Sequence, residues 1–455
     1  MSAAPVLTGL TAGRAYAALV LDPIQNGRRL HRRFGPVFAV DPPFTGGRRG
    51  RRGILIAREN LAERVLENPE AFHTVGLSLV RGPKDSAQRR LRDGMIRMNG
   101  PQQVAFRRSY APILAKNRVS EQAPTMREIA AQELASWPAG QVFDGLAALK
   151  RIVRRAAASL MFNAADDEGA LRLADMLERH AVLQYSLFSL MAPVDLPGMP
   201  YARLLRHAEE TERAFIEWIE KRRGDQGRDD MVSRICAMRD EAGAPLCPAA
   251  QAAQLWTLYG ASFETTATAL SWTILHLAWN PDAASRLAAE IAEHGEAAPY
   301  LDGVVTEALR MSPPVPYQIR RAAGEGEVGG IALSRGDRIF LSAIVMNRDP
   351  GVYSAPDRFV PERWLSMEAS AFRPLAFSAG PRRCLGANFA VTVIKTVLAA
   401  IWPVACIGVS PGADIGVRIA ITQAPRRMPL VVAPRGSASF DASRFTGAAA
   451  RQMSQ

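Results

Sequence analysis

Hydrophobic positions recur at helical spacing from about residue 55 to residue 310, where Ala, Leu and Arg dominate. ENLAERVLENP is typical of these stretches, and Pro and Gly separate them as they separate amphipathic helices. Between residues 315 and 345 the pattern changes to short β-branched runs with glycine turns, and MPLVVAP near residue 430 predicts another strand. The pattern therefore predicts a mostly α protein with a minor sheet.

The pattern contains no point at which the chain divides into domains. The 455 residues are 48% hydrophobic and 22% charged, which is enough apolar material for one large core. No Ser/Gly/Pro linker interrupts the chain, and no repeat of about 20 to 50 residues occurs. We expect a single large domain over residues 1–435. Residues 436–455 are small and polar, which predicts a disordered C-terminal tail.

The charge balance is basic, with 56 Lys and Arg against 44 Asp and Glu and a formal net charge of +12. A clustered basic patch would attract nucleic acid, a membrane surface or an acidic partner, whereas scattered arginines are ordinary solvated residues. The densest cluster, GGRRGRRG at residues 46–53, lies between PVFAV and GILIA, which resemble two short strands. Because no aromatic residues interleave it, we interpret it as a solvated hairpin loop and expect no nucleic-acid partner.

Neither a signal-peptide core nor a spanning helix is present in the sequence. The longest apolar run, TVLAAIWPVACIGV, is too short to cross a bilayer and contains Pro403, so we expect no transmembrane anchor. The cysteines form no C-x-x-C pair, which argues against a disulfide scaffold or a structural zinc site. A reducing cytoplasm fits them best. They are Cys236, Cys247, Cys384 and Cys406.

One cysteine lies in a loop, FSAGPRRCLG, whose neighbours suit a metal-bound thiolate better than a buried spectator. Glycines let the backbone approach a flat ligand closely. Amide N–H groups near the sulfur would stabilise a thiolate, and an arginine two residues away can pair with an acidic group of a cofactor. ANFAVTVIKTVLAAI predicts a helix that begins at the sulfur with its positive end. The fixed positions of F-x-x-G-x-R-x-C-x-G are Phe377, Gly380, Arg382, Cys384 and Gly386.

This loop resembles the haem-binding loop of the cytochrome P450 superfamily, in which the cysteine thiolate is the proximal ligand of haem iron. The resemblance extends from about residue 35 to residue 430 and is to the bacterial type. It implies a cytochrome P450 fold in which haem b, iron protoporphyrin IX, lies between a distal helix and the cysteine loop. It also implies that Cys384 binds the iron and that Phe377, Gly380 and Gly386 shape the haem site.

The family also carries a Glu-x-x-Arg pair on a helix, and VVTEALRMSPP supplies Glu307 and Arg310 on one helical face. Taken alone, such a pair is equally typical of a surface salt bridge. DRFVPERWL resembles the family's Pro-Glu-Arg segment, so the resemblance adds Arg363 as a third member. It implies a buried structural cluster of these three residues that takes no part in catalysis.

LWTLYGASFETTATALSWTILHLAWNP predicts a long helix that is apolar around most of its circumference, as expected for a helix crossing a large domain. Glu264 and Thr265 are polar residues within it, and the sequence alone is equally consistent with side chains that bond to carbonyls one turn earlier. The resemblance implies that they are the family's catalytic acid–alcohol pair for dioxygen activation, at a local opening of the helix. Ser262 stands where the family usually has glycine.

Groups that bind the haem propionates are a further implication of the resemblance. It places Arg320 in the strand after the Glu-x-x-Arg helix and Arg382 in the cysteine loop. NGPQQVAFRRSYAPIL resembles the family's C-helix, where Gln103 occupies the position of a His or Trp and Arg107 that of an Arg. Gln103 can donate an amide hydrogen bond but carries no charge.

The function implied is a haem-thiolate monooxygenase that inserts one oxygen atom from O2 into an apolar small molecule. The chain is too short for a fused flavin reductase, so we expect electrons from a ferredoxin or flavodoxin-type donor with its NAD(P)H reductase, docking near Arg383. Two alternatives are a peroxide-driven haem-thiolate peroxygenase, against which Glu264 and Thr265 argue, and a non-catalytic haem-based sensor, for which no output domain is evident. The substrate is expected to contact the ranges 74–98, 180–200, 256–266 and 313–319.

Overall fold

Helices supply most of the structure, as the hydrophobic spacing predicts. The computed structural model describes residues 4–41, 52–76, 80, 82–186, 189, 193–223, 229–366, 375–419, 422–436 and 445–453. Up to residue 184 the helices are α1 Gly9–Leu21, α2 Pro23–Phe34, α3 Glu59–Glu67, α4 Ala87–Arg90, α5 Pro101–Tyr110, α6 Lys116–Glu121, α7 Ala123–Ala135, α8 Gly145–Phe162 and α9 Glu168–Gln184. Beyond residue 193 they are α10 Pro200–Arg223, α11 Met231–Ala237, α12 Pro248–Trp279, α13 Pro281–His294, α14 Pro299–Met311, α15 Ala343–Met346, α16 Arg363–Ser366, α17 Ala387–Ile401 and α18 Gly447–Met453.

The strands are short and mostly lie outside the central helical stretch. They are β1 Val6–Leu7, β2 Val37–Val40, β3 Gly53–Ile56, β4 Phe72–Thr74, β5 Val142–Asp144, β6 Tyr317–Ala322, β7 Gly326–Val328, β8 Ile331–Leu333, β9 Arg338–Ser342, β10 Ala405–Val409, β11 Val417–Ile419, β12 Gln423–Pro425 and β13 Pro429–Pro434. Within the described residues, the largest sheet has the strand order β1-β2-β3-β9-β6-β4. The fold is thus mostly α with a minor sheet, as the sequence predicts.

Acidic caps and prolines mark where many helices begin. Asp22, Asp144, Asp167 and Asp230 each accept backbone N–H groups in the first turn of α2, α8, α9 and α11, respectively. Proline stands in the first turn of α12, α13 and α14. Its missing N–H costs nothing there, because the first N–H groups of a helix have no intrahelical partner.

Helix α12 is the central element of the larger core. It is 32 residues long and buried on most sides over its second half, which is the behaviour of a helix that is apolar all round. It packs against α8, α10 and α14. Buried Trp272 donates its Nε1–H to the Gln423 carbonyl at 2.8 Å and so ties α12 to β12.

The large sheet separates two smaller apolar clusters because successive side chains of a strand point to opposite faces. Val37 and Ala39 of β2 face a cluster that includes residues of α3. Phe38 and Val40 face the other way, into a cluster covered by α1 and α2. Strands β2 and β3 pair antiparallel, as the predicted hairpin requires. Its connecting residues 42–51 lie outside the described residues.

The prediction of a disordered tail over residues 436–455 is wrong for residues 445–453. They form α18, preceded by Phe445, whose ring packs edge to face on Trp279 with centroids 4.7 Å apart. Gly447 has φ +92°, and a Cβ there would overlap the Asp414 carboxylate, so only glycine fits. A few apolar anchors and this close approach order a segment whose composition is otherwise typical of disorder. Residues 437–444 lie outside the described residues.

None of the helices in the described parts of the chain combines the length and the apolarity that a membrane crossing requires.

Three buried histidines make the folded state sensitive to acid. Burial lowers the pKa of His31 to about 4 and the pKa values of His180 and His276 to about 3. An unfolded chain takes up these protons from about pH 6.5 downwards, whereas the folded chain does not. The free energy of unfolding therefore falls as the pH falls through the window from 6.5 to these lower pKa values, by up to about 1.4 kcal/mol per pH unit for each histidine.

We expect His276→Gln to flatten this dependence by about one proton's contribution. Urea unfolding followed by circular dichroism between pH 5 and 7.5 measures the slope. His294→Gln, at an exposed position, is the control and should keep the wild-type slope. An unchanged slope in His276→Gln would show that the acid sensitivity comes from other groups.

Candidate active site

The cysteine loop is held by two short helical turns and one backbone hydrogen bond. The 3-10 turns are Leu375–Phe377 and Gly380–Arg382, and the Cys384 N–H donates to the Phe377 carbonyl at 2.8 Å. Gly380 has φ +65°, and a Cβ there would lie 2.6 Å from the Leu66 carbonyl oxygen of α3. Glycine is therefore required at 380 both by the backbone conformation and by the approach of α3.

The Cys384 side chain is accessible although protein surrounds much of it. It is exposed to open space, yet the surrounding protein raises the pKa of its thiol by burial. The Gly386 N–H bonds to the sulfur and, with the guanidinium groups of Arg107 and Arg383, acts in the opposite direction. Since burial is the larger effect, the free thiol is the resting form, and a thiolate forms when a metal cation binds to it. Helix α17 begins at Ala387, directly after Gly386.

Three arginines converge beside this cysteine without an acidic partner among the described residues. Arg320 of β6 is buried, and burial with Arg382 nearby lowers its pKa to about 10. Burial and Arg107 likewise lower the pKa of Arg382 to about 10. Their hydrogen bonds go only to neutral groups: Arg382 to the Met98 carbonyl at 2.5 Å and to Asn99 Oδ1 at 3.1 Å, Arg320 to the Ile319 carbonyl, and Arg107 to the Arg383 carbonyl.

These residues fit a haem group. Like charges that are half-buried or buried together destabilise one another unless an anion lies between them, and haem carries two carboxylates. The thiol of Cys384 is a ligand for its iron. At Gly386 a Cβ would meet no protein atom within 4 Å, so the protein alone does not require glycine there, whereas a flat group lying against the loop would. Gln103, on α5, is buried.

Glu264 and Thr265 lie on α12 as expected, but both side chains already form hydrogen bonds within the protein. The Thr265 hydroxyl donates to the Ala261 carbonyl at 2.9 Å, which is the carbonyl-bonding alternative that the sequence leaves open. Glu264 Oε1 accepts a hydrogen bond from Arg418 of β11 at 2.9 Å, and its Oε2 lies 3.7 Å from the Lys150 ammonium group of α8.

The expected local opening of the helix at Ser262 is not present, because α12 is continuous from Pro248 to Trp279. The Ser262 hydroxyl donates to the Tyr259 carbonyl and the Thr266 hydroxyl to the Ser262 carbonyl, each at 2.7 Å. Hydroxyl groups that bond to carbonyls one turn earlier can bend a helix slightly, but here they leave it continuous. A glycine at 262 would lack that hydrogen bond.

Arg418 and Lys150 are site residues that the sequence analysis missed. They lie more than a hundred positions from Glu264 in opposite directions, within segments that contain many other basic residues. Lys150 also bonds to Glu178 of α9 at 2.5 Å. No local pattern marks either residue, so only the fold identifies them as partners of Glu264.

Two pairs of the predicted substrate-contacting ranges meet in the structure. A Cβ at Gly94 would overlap the Thr257 hydroxyl, so the ranges 74–98 and 256–266 touch. The His180 ring lies edge-on to Trp256 with centroids 5.4 Å apart, which joins 180–200 to 256–266. Both His180 ring nitrogens and Trp256 Nε1 are buried with no hydrogen-bond partner among the described residues. Residues 77–79, 81, 187, 188 and 190–192 of these ranges lie outside the described residues.

Glu307, Arg310 and Arg363 are brought together in a fully buried cluster. Arg310 donates from Nε and Nη2 to the two Glu307 oxygens, both at 2.8 Å, and Arg363 Nε donates to Glu307 Oε1 at 3.1 Å. Trp364, which the sequence analysis did not include, donates its Nε1–H to Glu307 Oε2 at 2.9 Å. The relative exposure of both Glu307 and Arg310 is 0%, so this is not a surface salt bridge.

A helical domain with a cysteine at the start of one helix, facing unpaired arginines, and an acid–alcohol pair on a long central helix has the arrangement of a haem-thiolate oxidoreductase. The profile of the Cytochrome P450 family matches residues 22–402. The chain therefore belongs to the cytochrome P450 family, whose members bind haem, and it is a cytochrome P450 monooxygenase.

Curated relatives agree with this assignment. The chain is 29% identical over 381 residues to putative cytochrome P450 137 of Mycobacterium tuberculosis, covering 81% of this chain and 77% of that protein. It is 30% identical to pentalenene oxygenase of Streptomyces avermitilis, covering 72% and 77%. It is 27% identical to cyclooctat-9-en-7-ol 5-monooxygenase of Streptomyces melanosporofaciens, covering 77% and 79%.

Solved structures show the same fold. Retinoic acid-bound cyanobacterial CYP120A1 superposes with a TM-score of 0.75 at 22% identity, covering 92% of this chain and 96% of that one. The cytochrome P450DA heme domain gives a TM-score of 0.75 at 22% identity, with 98% and 99% covered. The cytochrome P450 fold predicted from the sequence is thereby confirmed.

We expect Glu307→Gln to lower the free energy of unfolding by about 3–5 kcal/mol, because it leaves two buried guanidinium groups without a counter-charge. Urea unfolding and the haem content of the purified protein measure the effect. Glu325→Gln, at an exposed position, should behave as the wild type. Equal stability and haem content in Glu307→Gln and Glu325→Gln would contradict a structural role for the cluster.

Proposed function

We propose that this protein is a haem-thiolate monooxygenase that inserts one oxygen atom from O2 into an apolar organic substrate, with electrons from separate partner proteins. The observation that carries the proposal is the Cys384 thiol, bonded by the Gly386 N–H, beside Arg320 and Arg382 that lack an acidic partner among the described residues. A thiol and paired cations in one cleft match the iron and the carboxylates of a single group, haem b.

The chain's own residues hold that group in distinct ways. Cys384 is the iron ligand, and the Gly386 N–H limits the charge on its sulfur. Arg320, Arg382 and Arg107 bind the propionate carboxylates, to which Gln103 contributes an amide N–H. Phe377 and Gly380 shape the loop. When bound, haem supplies the activation of dioxygen and the transfer of one oxygen atom.

Two residues of helix α12, Glu264 and Thr265, supply protons. Thr265 offers a hydroxyl that can turn from the Ala261 carbonyl to hold a water molecule, and Glu264 lies one position away to pass protons to it. Glu264 is held by Arg418 and Lys150, so the carboxylate must exchange one of these contacts for water as it delivers a proton. The two cations thus hold its carboxylate in one orientation between deliveries.

The redox partner is a ferredoxin or flavodoxin-type protein with an NAD(P)H reductase. Arg383 is exposed beside the cysteine, and its side chain is available to an acidic donor, whereas Arg382 turns to Met98 and Asn99. None of the four cysteines forms a disulfide, which supports a reducing cytoplasm.

The substrate is an apolar molecule. Two relatives have names that specify a substrate, a pentalenene oxygenase and a cyclooctat-9-en-7-ol 5-monooxygenase. By name, the first substrate is an unsaturated hydrocarbon and the second is an alcohol. His180 and Trp256 contribute polar atoms without partners among the described residues where two substrate-contacting ranges meet. A hydroxyl or carbonyl on an otherwise apolar substrate would find hydrogen bonds there.

A second candidate is a peroxide-driven peroxygenase, which needs no proton delivery for its oxidant. It is favoured by the engagement of Thr265 with a helix carbonyl and of Glu264 with two cations. Product formation with NADH and surrogate ferredoxin and reductase, compared with peroxide alone over a panel of apolar substrates, separates the two functions. Product from peroxide, with none from NADH and the electron-transfer proteins, would overturn the monooxygenase proposal.

Cys384→Ala should abolish the red-shifted Soret band that the ferrous, CO-bound protein shows when a thiolate is the other axial ligand. Cys247→Ala removes a thiol that is also exposed but lies at the start of α12, so it should retain the band. If Cys384→Ala retains it too, Cys384 is not the iron ligand.

Thr265→Ala should retain haem and substrate binding but lower the product formed per NADH several-fold, because proton delivery loses its alcohol and reducing equivalents leave as hydrogen peroxide. Thr266→Ala is a matched control, since its hydroxyl bonds to the Ser262 carbonyl. Product, peroxide and NADH are measured together. Wild-type coupling in Thr265→Ala would refute the acid–alcohol pair.

A further inference from the structure

The outer side of α1 carries large apolar side chains that folding does not explain. Leu10 and Leu21 are each 84% exposed. They are eleven residues apart, so they project from the same side of the helix about 16 Å apart along its axis. Ala12 and Ala15, on the opposite side, already pack into the cluster beneath. The helix therefore has one face for the protein and a second apolar face that no described residue covers.

Exposed arginines surround this apolar face. Leu30 and Phe34 of α2 pack into the same cluster as α1, so both helices lie on one face of the sheet and turn their outer sides the same way. The outer side of α2 carries exposed Arg29, Arg32 and Arg33, and α1 contributes exposed Arg14. In the described parts of the chain, no carboxylate forms an ion pair with any of these four arginines.

The N-terminal part of the sequence is rich in positive charge. The first 58 residues contain ten arginines but only two acidic residues, Asp22 and Asp41, so they account for about two thirds of the net charge of +12. Asp22 is engaged as the cap of α2, where it accepts the N–H groups of Ile24 and Gln25. Four of the ten arginines are the exposed ones on α1 and α2, so this side of the protein is positive as well as apolar.

We propose that α1 and α2 dock the enzyme on a membrane surface that contains anionic lipids. Leu10 and Leu21 enter the boundary between headgroups and acyl chains, and the arginines of α2 contact lipid phosphates. This combination of an apolar helix face with flanking arginines is what interfacial attachment requires. A second copy of the chain fits less well, since it would oppose two positive surfaces. Nucleic acid would leave the leucines exposed to water.

The test is sedimentation of the full-length holoenzyme with vesicles, which needs no substrate and no turnover. We expect binding to equimolar phosphatidylcholine–phosphatidylglycerol vesicles, weakened by high salt, and little binding to pure phosphatidylcholine. The triple variant Arg29→Ala, Arg32→Ala, Arg33→Ala should bind about a hundredfold more weakly at low salt. The double variant Leu10→Ser, Leu21→Ser should lose at least about tenfold.

Matched controls lie on other parts of the surface. The triple variant Arg172→Ala, Arg179→Ala, Arg213→Ala removes the same charge from exposed positions of α9 and α10, and Val404→Ser removes an apolar group that is 57% exposed. Both should bind as the wild type does. Absence of wild-type binding, equal loss in the control triple variant, or unchanged binding in the α1 and α2 variants would overturn the proposal. A dimer that Leu10→Ser, Leu21→Ser dissociates would assign the face to a second copy instead.

Discussion

The carboxylate of Glu307 is the interaction on which the proximal half of the structure depends. It accepts hydrogen bonds from Arg310, Arg363, Trp364 and the Val360 N–H. Arg310 then donates to the carbonyls of three residues in the irregular stretch after α15, namely Asn347, Pro356 and Arg358. That stretch contains turns but no helix or strand, so the hydrogen bonds that extend from one buried carboxylate hold it to α14.

The cluster is connected to the cysteine loop by one amide side chain. Asn347 donates to the Arg310 carbonyl at 3.1 Å and accepts the Leu375 N–H at 3.2 Å. Leu375 begins the turn that leads to Phe377, whose carbonyl accepts the Cys384 N–H. Hydrogen bonds that extend from α14 therefore support the loop of Cys384, and damage to the cluster would be transmitted to this loop.

Features that depend on neighbours in the sequence were predictable, and features that depend on distant charges were not. The spacing of Glu307 and Arg310 and the resemblance of the segment at Arg363 predicted residues that the structure brings together. The glycine at 380 was predicted from the loop, although its contact with α3 was not. Arg418 and Lys150 escaped prediction, because an exposed arginine and a paired one look alike in a sequence.

Two errors have different physical causes, one a distant contact and the other a local hydrogen bond. The tail at 445–453 has the composition of a disordered segment, but Phe445 packs edge to face on Trp279, and such an anchor cannot be inferred from composition. The opening of α12 was expected from the family pattern, yet the hydroxyl at Ser262 bonds to the Tyr259 carbonyl. The sequence shows that Ser262 departs from the family pattern, but it does not show that the helix stays continuous there.

Lys150 contacts two carboxylates that lie on different helices. Its ammonium group lies between Glu178 on α9 and Glu264 on α12, at 2.5 Å and 3.7 Å respectively. One cation thus serves two competing carboxylates on different helices. A shift of α9 relative to α12 would therefore change the contacts of Lys150 with both acids. One ammonium group in this way links the position of α9 to a carboxylate of the central helix.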